Sequence, residues 1–318
     1  MAKKHTFVGI DQDSGSIRAV RLGLEHHKSK STKINEFRLL ETQEIEGEFS
    51  EDGSLFNSLR QLRDKMSISS SDIVVTCLSG KQTFAAEMNV KKLPDEEMKS
   101  MLKLELRKTM PFEPSAAVFD FAWLPPEPNA PKDKGVPIMV TASTNAVLTK
   151  HLGIYGKAGI QPSIVDVLPV AVANSFWALQ KESRQSNETF AILHIGSDVC
   201  TLVIDGEKNP FFNRSFSFDM NNVAALPVNS SDAMLQMNIL SDELNKSLTY
   251  YRNTFRNDNI STITLMGNHA THGAFEAVGK KTGLVVEPSQ TAQIVGRAKP
   301  PVAGKFDLAV SLAMQAAA

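Results

Sequence analysis

The sequence predicts an α/β protein of two lobes, each built on a mixed sheet, and three observations carry that prediction. The 318 residues exceed the usual size of one compact domain. Apolar runs of strand length alternate with stretches of helical period along the chain. Each half also holds a similar strand–turn–strand stretch. The first is Phe7-Val8-Gly9-Ile10-Asp11-Gln12-Asp13-Ser14-Gly15-Ser16-Ile17-Arg18-Ala19-Val20; the second is Ala191-Ile192-Leu193-His194-Ile195-Gly196-Ser197-Asp198-Val199-Cys200-Thr201-Leu202-Val203-Ile204.

The elements then follow in order. His26–Ser31 reads as a polar turn and Lys33–Glu44 as a strand. Leu55, Leu59 and Leu62 recur at helical spacing, which predicts a helix over Leu55–Met66. Asp72–Leu78 is a β-rich run, with Phe84–Val90 expected as its partner strand. Asp95–Thr109 reads as an amphipathic helix carrying Met98, Met101, Leu102 and Leu106, stopped by Met110-Pro111-Phe112-Glu113-Pro114 because proline lacks a donor and clashes with the preceding turn. Val118–Leu124 is expected extended, Pro125–Pro137 an exposed proline-rich loop, Ile138–Ala142 a strand and Asn145–Ala158 a helix. Gly159-Ile160-Gln161-Pro162 leads into a strand at Ser163–Val167, and Val170–Leu179 is a helix. Polar Lys181–Glu188 marks the junction, so residues 1–188 form the first lobe and 189–318 the second. After the second hairpin come a strand at Pro210–Phe218, a helix over about Ala233–Phe255, a strand at Ile263–Met266, and helices at Gly273–Thr282 and Asp307–Ala317.

Composition excludes several classes. A net charge of -1, from 34 basic and 35 acidic residues, supplies no broad field for nucleic acid or an anionic membrane. The two cysteines, Cys77 and Cys200, fall inside expected strands and read as small buried hydrophobes. Asp11 interrupts the first apolar run before a signal-peptide core can form, and no uninterrupted apolar stretch reaches the roughly 20 residues of a bilayer span. The expectation is a soluble cytoplasmic chain whose membrane contact is indirect.

The paired turns carry the chemistry. Glycine permits a tight backbone path close to phosphate oxygens, and small hydroxyl residues donate hydrogen bonds. Ser14, Gly15 and Ser16 with Gly196, Ser197 and Asp198 therefore form the expected nucleotide cleft, and Asp11 stands where a carboxylate orders water around Mg²⁺. The competing reading of Asp11 is a turn-capping aspartate. His194 reads as a neutral hydrogen-bonding core histidine. Ser100-Met101-Leu102-Lys103 with Lys281-Thr282-Gly283 matches two signatures of serine β-lactamases and penicillin-binding proteins, but the Ser-Asp-Asn element is missing and the helix is an ordinary amphipathic one. His269 and His272 lack an adjacent third metal ligand, so no metal site is expected. Lys99, Lys103, Arg107 and Lys108 read as the solvated face of their helix.

Val8-Gly9-Ile10-Asp11, Ser14 and the Ile17–Val20 strand resemble the first phosphate hairpin of the actin-like ATPase superfamily. Leu78-Ser79-Gly80, Leu104-Glu105-Leu106-Arg107-Lys108-Thr109-Met110-Pro111-Phe112 and Ala158-Gly159-Ile160-Gln161-Pro162-Ser163-Ile164-Val165-Asp166 narrow the resemblance to the PilM family of type IV pilus assembly. Phe212-Asn213-Arg214, Leu248-Thr249-Tyr250-Tyr251 and Leu265-Met266-Gly267-Asn268-His269-Ala270 add to it. The resemblance implies an actin-like, ribonuclease H-like fold of two lobes with a small α/β subdomain inserted at about Leu78–Ala142. It also implies ATP in the cleft and capture of the short cytoplasmic tail of PilN, a single-pass membrane protein.

Three departures argue against retained hydrolysis. His194 replaces the family's aspartate, Gly267-Asn268 replaces paired glycines, and Phe218–Ser241 is short, which predicts a reduced second lobe and an empty, open cleft. The expected function is thus a degenerate actin-like ATPase with no catalytic residues and no cofactor. It acts as an adaptor for a PilN-like tail and other pilus or secretion components, without nucleic acid. An active ATPase using ATP and Mg²⁺, or a small-metabolite kinase, are the alternatives. The expected groove lies between the inserted subdomain and the body of the first lobe. Its candidates are Phe84, Met88, Met101, Leu104, Met110, Pro111 and Phe112, since Met and aromatic side chains line apolar slots while nearby Lys or Arg fixes an acidic or carbonyl-rich tail.

Overall fold

The computed structural model describes residues 6–28, 33–49, 52–80, 82–125, 135–179, 189–206, 209–227, 230–256, 259–270, 272–291, 295 and 304–316. The expected junction at Lys181–Glu188 and most of the Pro125–Pro137 loop lie outside them.

Two five-stranded sheets share one topology. The first runs β3-β2-β1-β4-β8, from β1 (Thr6–Gln12), β2 (Ser16–Lys28), β3 (Lys33–Glu46), β4 (Asp72–Leu78) and β8 (Pro162–Val167). β1, β2 and β3 are antiparallel neighbours, while β1, β4 and β8 run parallel. The second runs β11-β10-β9-β12-β13, from β9 (Thr189–Ile195), β10 (Val199–Gly206), β11 (Asn209–Ser217), β12 (Thr262–Met266) and β13 (Val285–Pro288), with the same alternation. A repeat that is faint in sequence is thus complete in strand order. The central strands β1 and β9 are buried almost end to end, which is why both read as unbroken apolar runs.

Helices fill the layers around the sheets. α1 (Asp52–Met66) buries Leu55, Leu59, Leu62 and Met66 on the first sheet together with α3 (Asn145–Lys157). α4 (Leu168–Leu179) and α8 (Asp307–Gln315) lie in the seam, where Val75 and Val167 of one sheet share a core with Ile192, Val203 and Met266 of the other. Ser311 Oγ donates to Ala171 O at 2.8 Å and ties the two helices together. The approach of α8 to β1 is close enough that a Cβ on Gly9 would lie 1.9 Å from Ala309 O. In the second lobe, α5 (Met220–Ala225), α6 (Ser231–Phe255) and α7 (His272–Thr282) cover the sheet. Side-chain oxygens cap two of them: Asp219 accepts from Asn222 N and Ser230 from Ala233 N.

A third sheet, β5-β7-β6, is built from β5 (Thr83–Val90), β6 (Ala117–Trp123) and β7 (Val136–Thr144). Together with α2 (Asp95–Glu105) it encloses a separate small core of Val90, Met98, Leu102, Leu106, Ile138 and Val140. The expected partnership of the 84–90 strand with 72–78 is corrected here: β5 pairs antiparallel with β7. α2 and β6 separate β5 from the strand it finally meets, so adjacency in sequence misleads.

Three smaller corrections follow the same logic. α2 ends at Glu105 and continues as one 3-10 turn, Leu106–Lys108, rather than as α-helix to Thr109. His26, His27 and Lys28 belong to β2, because β3 pairs with that strand out to Lys28. β13 went unread because four residues ending in proline leave little β signal.

Candidate functional site

The two turns at the head of the lobes meet face to face. Asp13 Oδ1 accepts from the Gly15 and Ser16 backbone N–H groups at 2.9 and 2.8 Å, so it closes the first turn on itself. From the other lobe, Ser197 Oγ donates to the same oxygen at 2.9 Å, and the Ser14 side chain is bonded to Asp198. A Cβ on Gly15 would fall 2.6 Å from Ser197 Oγ and 2.9 Å from Asn221 Oδ1. A side chain here would have to displace the Ser197 hydroxyl of the opposite turn and the Asn221 amide of α5.

Behind the turns sits a buried ion cluster. Arg18 is fully buried and donates through Nε to Asp11 Oδ2 at 3.0 Å and through Nη2 to Asp13 Oδ2 at 3.0 Å. The strand register places Asp11 directly opposite Arg18, which is the reason they meet. Burial alone pushes the Asp13 carboxyl up, but the Arg18 charge, with the hydrogen bonds from Gly15, Arg18 and Ser197, brings it below the usual range. Arg18 Nη1 has no partner among the described residues.

His194 faces this cluster from β9 and is buried. Neither of its ring nitrogens has a hydrogen-bond partner among the described residues, so the expected hydrogen-bonded core histidine is corrected on that point. Burial lowers its pKa, opposed by the Asp11 charge and helped by that of Arg18. His269 Nε2 lies 3.4 Å from Ser197 Oγ. Gly267 has φ +103, and a Cβ there would come 2.6 Å from Ile195 O, so this glycine serves a close loop-to-strand approach. Asn268 beside it is half-buried.

Asp11, Asp13, His194, Gly196 and Asp198 line a crevice that also touches Gln12, Cys77 and Ser79 and has room for about one water molecule. The expected openness of the cleft is corrected at its head, where a hydroxyl and a carboxylate from opposite lobes are bonded across it. In this arrangement the residues do not fit ATP with Mg²⁺, since Asp11 is bound to a guanidinium and the Gly15, Ser16 and Gly196 amides are satisfied within the protein. Among the described residues no group of three or more His, Cys, Asp or Glu side chains is placed to hold a metal ion.

The expected peptide-groove residues divide. Phe84, Met88, Met101 and Met110 are half-buried and pack together on the small core between α2 and the third sheet. Strand alternation turns the other face of β5, with Ala85, toward the seam of the lobes. Those four side chains therefore do not line a groove against the body of the first lobe, which corrects their expected setting. Leu104 is 61% exposed on the outer face of α2; Pro111 is exposed and Phe112 half-buried in the turn that follows. Ser100 and Lys281 stand in separate units: Ser100 Oγ bonds Glu96 O, and Lys281 pairs with Asp242 in the second lobe.

Sequence reading passed over Arg18. Its signal was present: a lone arginine inside the apolar run Ile17-Arg18-Ala19-Val20, at a position that hairpin pairing sets against Asp11.

Two lobes of mixed α/β sheets meeting at paired turns, with a small further subdomain, define an α/β protein with an actin-like ATPase fold. The family described as type IV pilus assembly protein PilM matches residues 9–235, and the chain belongs to that family. Among solved structures it is similar to a PilM-PilN type IV pilus biogenesis complex, at 20% identity over 98% of both chains with a TM-score of 0.79. It is also similar to a Bacteroides thetaiotaomicron protein with actin-like ATPase fold and unknown function, at 12% identity over 99% of this chain and 96% of that one, with a TM-score of 0.51. No curated protein matches it.

Proposed function

We propose that this chain is a cytoplasmic adaptor of a type IV pilus-like assembly or secretion machine, held beside the inner membrane by the cytoplasmic tail of a PilN-like partner. The observation that carries the adaptor reading over the ATPase one is the Ser197–Asp13 hydrogen bond across the head of the cleft, backed by Arg18 on Asp11. A site whose Ser197 hydroxyl is taken up by Asp13 and whose Asp11 carboxylate is held by Arg18 is stable without a nucleotide. Family membership supports the pilus setting, and the likeness to a PilM-PilN complex supports the class of partner. No described helix is long and apolar enough to cross a membrane, in keeping with attachment through another chain.

In this reading the inserted unit, bounded at about residues 78 and 142, receives the tail, and the second lobe is abbreviated over Phe218–Ser241, where α5 and the start of α6 fill the segment. Titration with a synthetic peptide of the cytoplasmic tail from the single-pass protein encoded beside this chain tests it. Saturable binding is the expected result; a folded protein that shows none overturns the assignment. Calorimetry with Mg-ATP tests the other half. Micromolar binding that is lost in Asp11→Ala would replace the adaptor reading with an active ATPase.

A further inference from the structure

The crevice at the head of the cleft sets polar walls against a histidine that lacks a partner. His194 lies inside the second sheet, paired with Thr201 of β10 on one side and with Met266 of β12 on the other. The residue is 3% exposed, and both ring nitrogens are buried with no hydrogen-bond partner among the described residues. The Gly196 turn packs on the ring, since a Cβ there would lie 3.4 Å from His194 Cε1. Burial favours the neutral imidazole, which in either tautomer offers one N–H donor and one acceptor nitrogen. Such a ring has given up its solvation and recovers it only when a bonding group reaches it.

The crevice that His194 lines has the size and the walls for one small polar molecule. The first lobe contributes Asp11, Gln12, Asp13 and Ser79 to the lining, and the second lobe contributes Gly196 and Asp198. A space of about one water molecule stays dry when its walls are apolar and holds water when two or more polar groups converge on it. The same walls decide against other occupants. The carboxylates of Asp11, Asp13 and Asp198 repel an anion. Among the described residues no group of three or more His, Cys, Asp or Glu side chains is placed to hold a metal ion. Water is neutral and both donates and accepts, which matches an imidazole that shares a crevice with a carboxylate.

We infer that the crevice binds one structural water molecule, hydrogen-bonded to the His194 ring of the second lobe and donating to the Asp11 carboxylate of the first. Arg18 and this water then hold Asp11 together, the cation from within the first lobe and the water from the crevice. The bridge adds a further link across the head of the cleft beside the Ser197–Asp13 hydrogen bond. A ligand entering the cleft has to displace the water and replace both of its bonds, or lose affinity for want of them. The inference concerns the chain without its partner and does not rest on the adaptor reading.

High-resolution diffraction from crystals of the full chain tests the assignment. One ordered water is expected at about 2.7–3.2 Å from both a His194 ring nitrogen and an Asp11 carboxylate oxygen. Ordered side chains with no density between them overturn it. Density at about 2.0–2.2 Å from the ring nitrogen, with a stoichiometric metal in elemental analysis, makes the occupant a cation and also overturns it. In solution, oxygen-17 magnetic relaxation dispersion counts long-lived internal waters. His194→Leu, which removes both ring nitrogens, should lose the contribution of one such water, whereas His194→Gln, which keeps a donor and an acceptor, should retain it. Equal dispersion from the parent and His194→Leu overturns the assignment. The diffraction result on the parent decides it should His194→Leu fail to fold.

Discussion

Asp11 and Arg18 face each other across the first hairpin, with guanidinium and carboxylate 2.8 Å apart and both side chains buried. Asp13 completes the cluster at 3.0 Å. A carboxylate that the resemblance assigns to metal-bound water is instead held by a fixed cation of the same chain. Burying such a group is costly unless every partner stays in place, so the cluster is sensitive to the loss of any one member.

Arg18→Met leaves two buried carboxylates without their cation and should cost about 3–5 kcal/mol. The urea midpoint, read by circular dichroism, measures it. Adding Asp11→Leu should restore part of the loss, because the remaining buried charge is reduced. A single variant as stable as the parent would mean that water reaches the cluster.

Gly9→Ala tests the packing of α8 on β1. The added Cβ meets the helix backbone at Ala309 O and Ala313 N, neither of which is the end of a flexible side chain. Overpacking of this kind costs about 1–3 kcal/mol, or several degrees in Tm for a chain of this length. Differential scanning calorimetry should show the drop without any ligand present.

Met101 and Leu104 separate core from surface within one helix. Met101→Ala should lose about 1–3 kcal/mol of stability, because its side chain packs on the small core. Leu104→Ala should stay within about 0.5 kcal/mol of the parent. Equal losses in chemical denaturation would place Leu104 in a packed contact as well.

Asp166 supplies a pH signature. Burial raises its pKa to about 6, against the hydrogen bond it accepts from Val167 N–H at 2.7 Å. A raised folded-state pKa means that the native protein binds more protons than the unfolded chain between about pH 4 and pH 6, so this group's contribution to stability falls as pH rises through that window. His151, lowered to about 4 by burial, acts in the opposite sense, since the unfolded chain takes up its proton first as pH falls below about 6.5. Asp166→Asn should therefore be more stable than the parent by about 2–3 kcal/mol at pH 7 and nearly equal to it at pH 4. Urea titrations at the two pH values read the difference, and a gap that does not widen with pH would contradict the burial argument.

Much of the architecture was legible because its signals are local. Strand length, turn residues and the Leu55–Leu59–Leu62 stripe are written within a few residues of where they act, and nearly every strand and helix was anticipated within a few positions. The paired turns were legible too, since two Gly/Ser/Asp turns between apolar runs require only short-range pattern. Arg18 was less so: a single charge in an apolar run announces burial with a partner, but naming that partner takes the hairpin register.

By itself the sequence determined the alternation of strands and helices, the two similar hairpins and the motifs of the family. Tertiary structure alone decided that β5 pairs with β7, that Gly9 makes room for α8, and that Ser197 closes on Asp13. The physical reason is range. Periodicity and turn chemistry are properties of neighbours along the chain, whereas strand partnership, helix approach and the burial of a charge depend on groups far apart in sequence, which folding alone brings within a few ångströms.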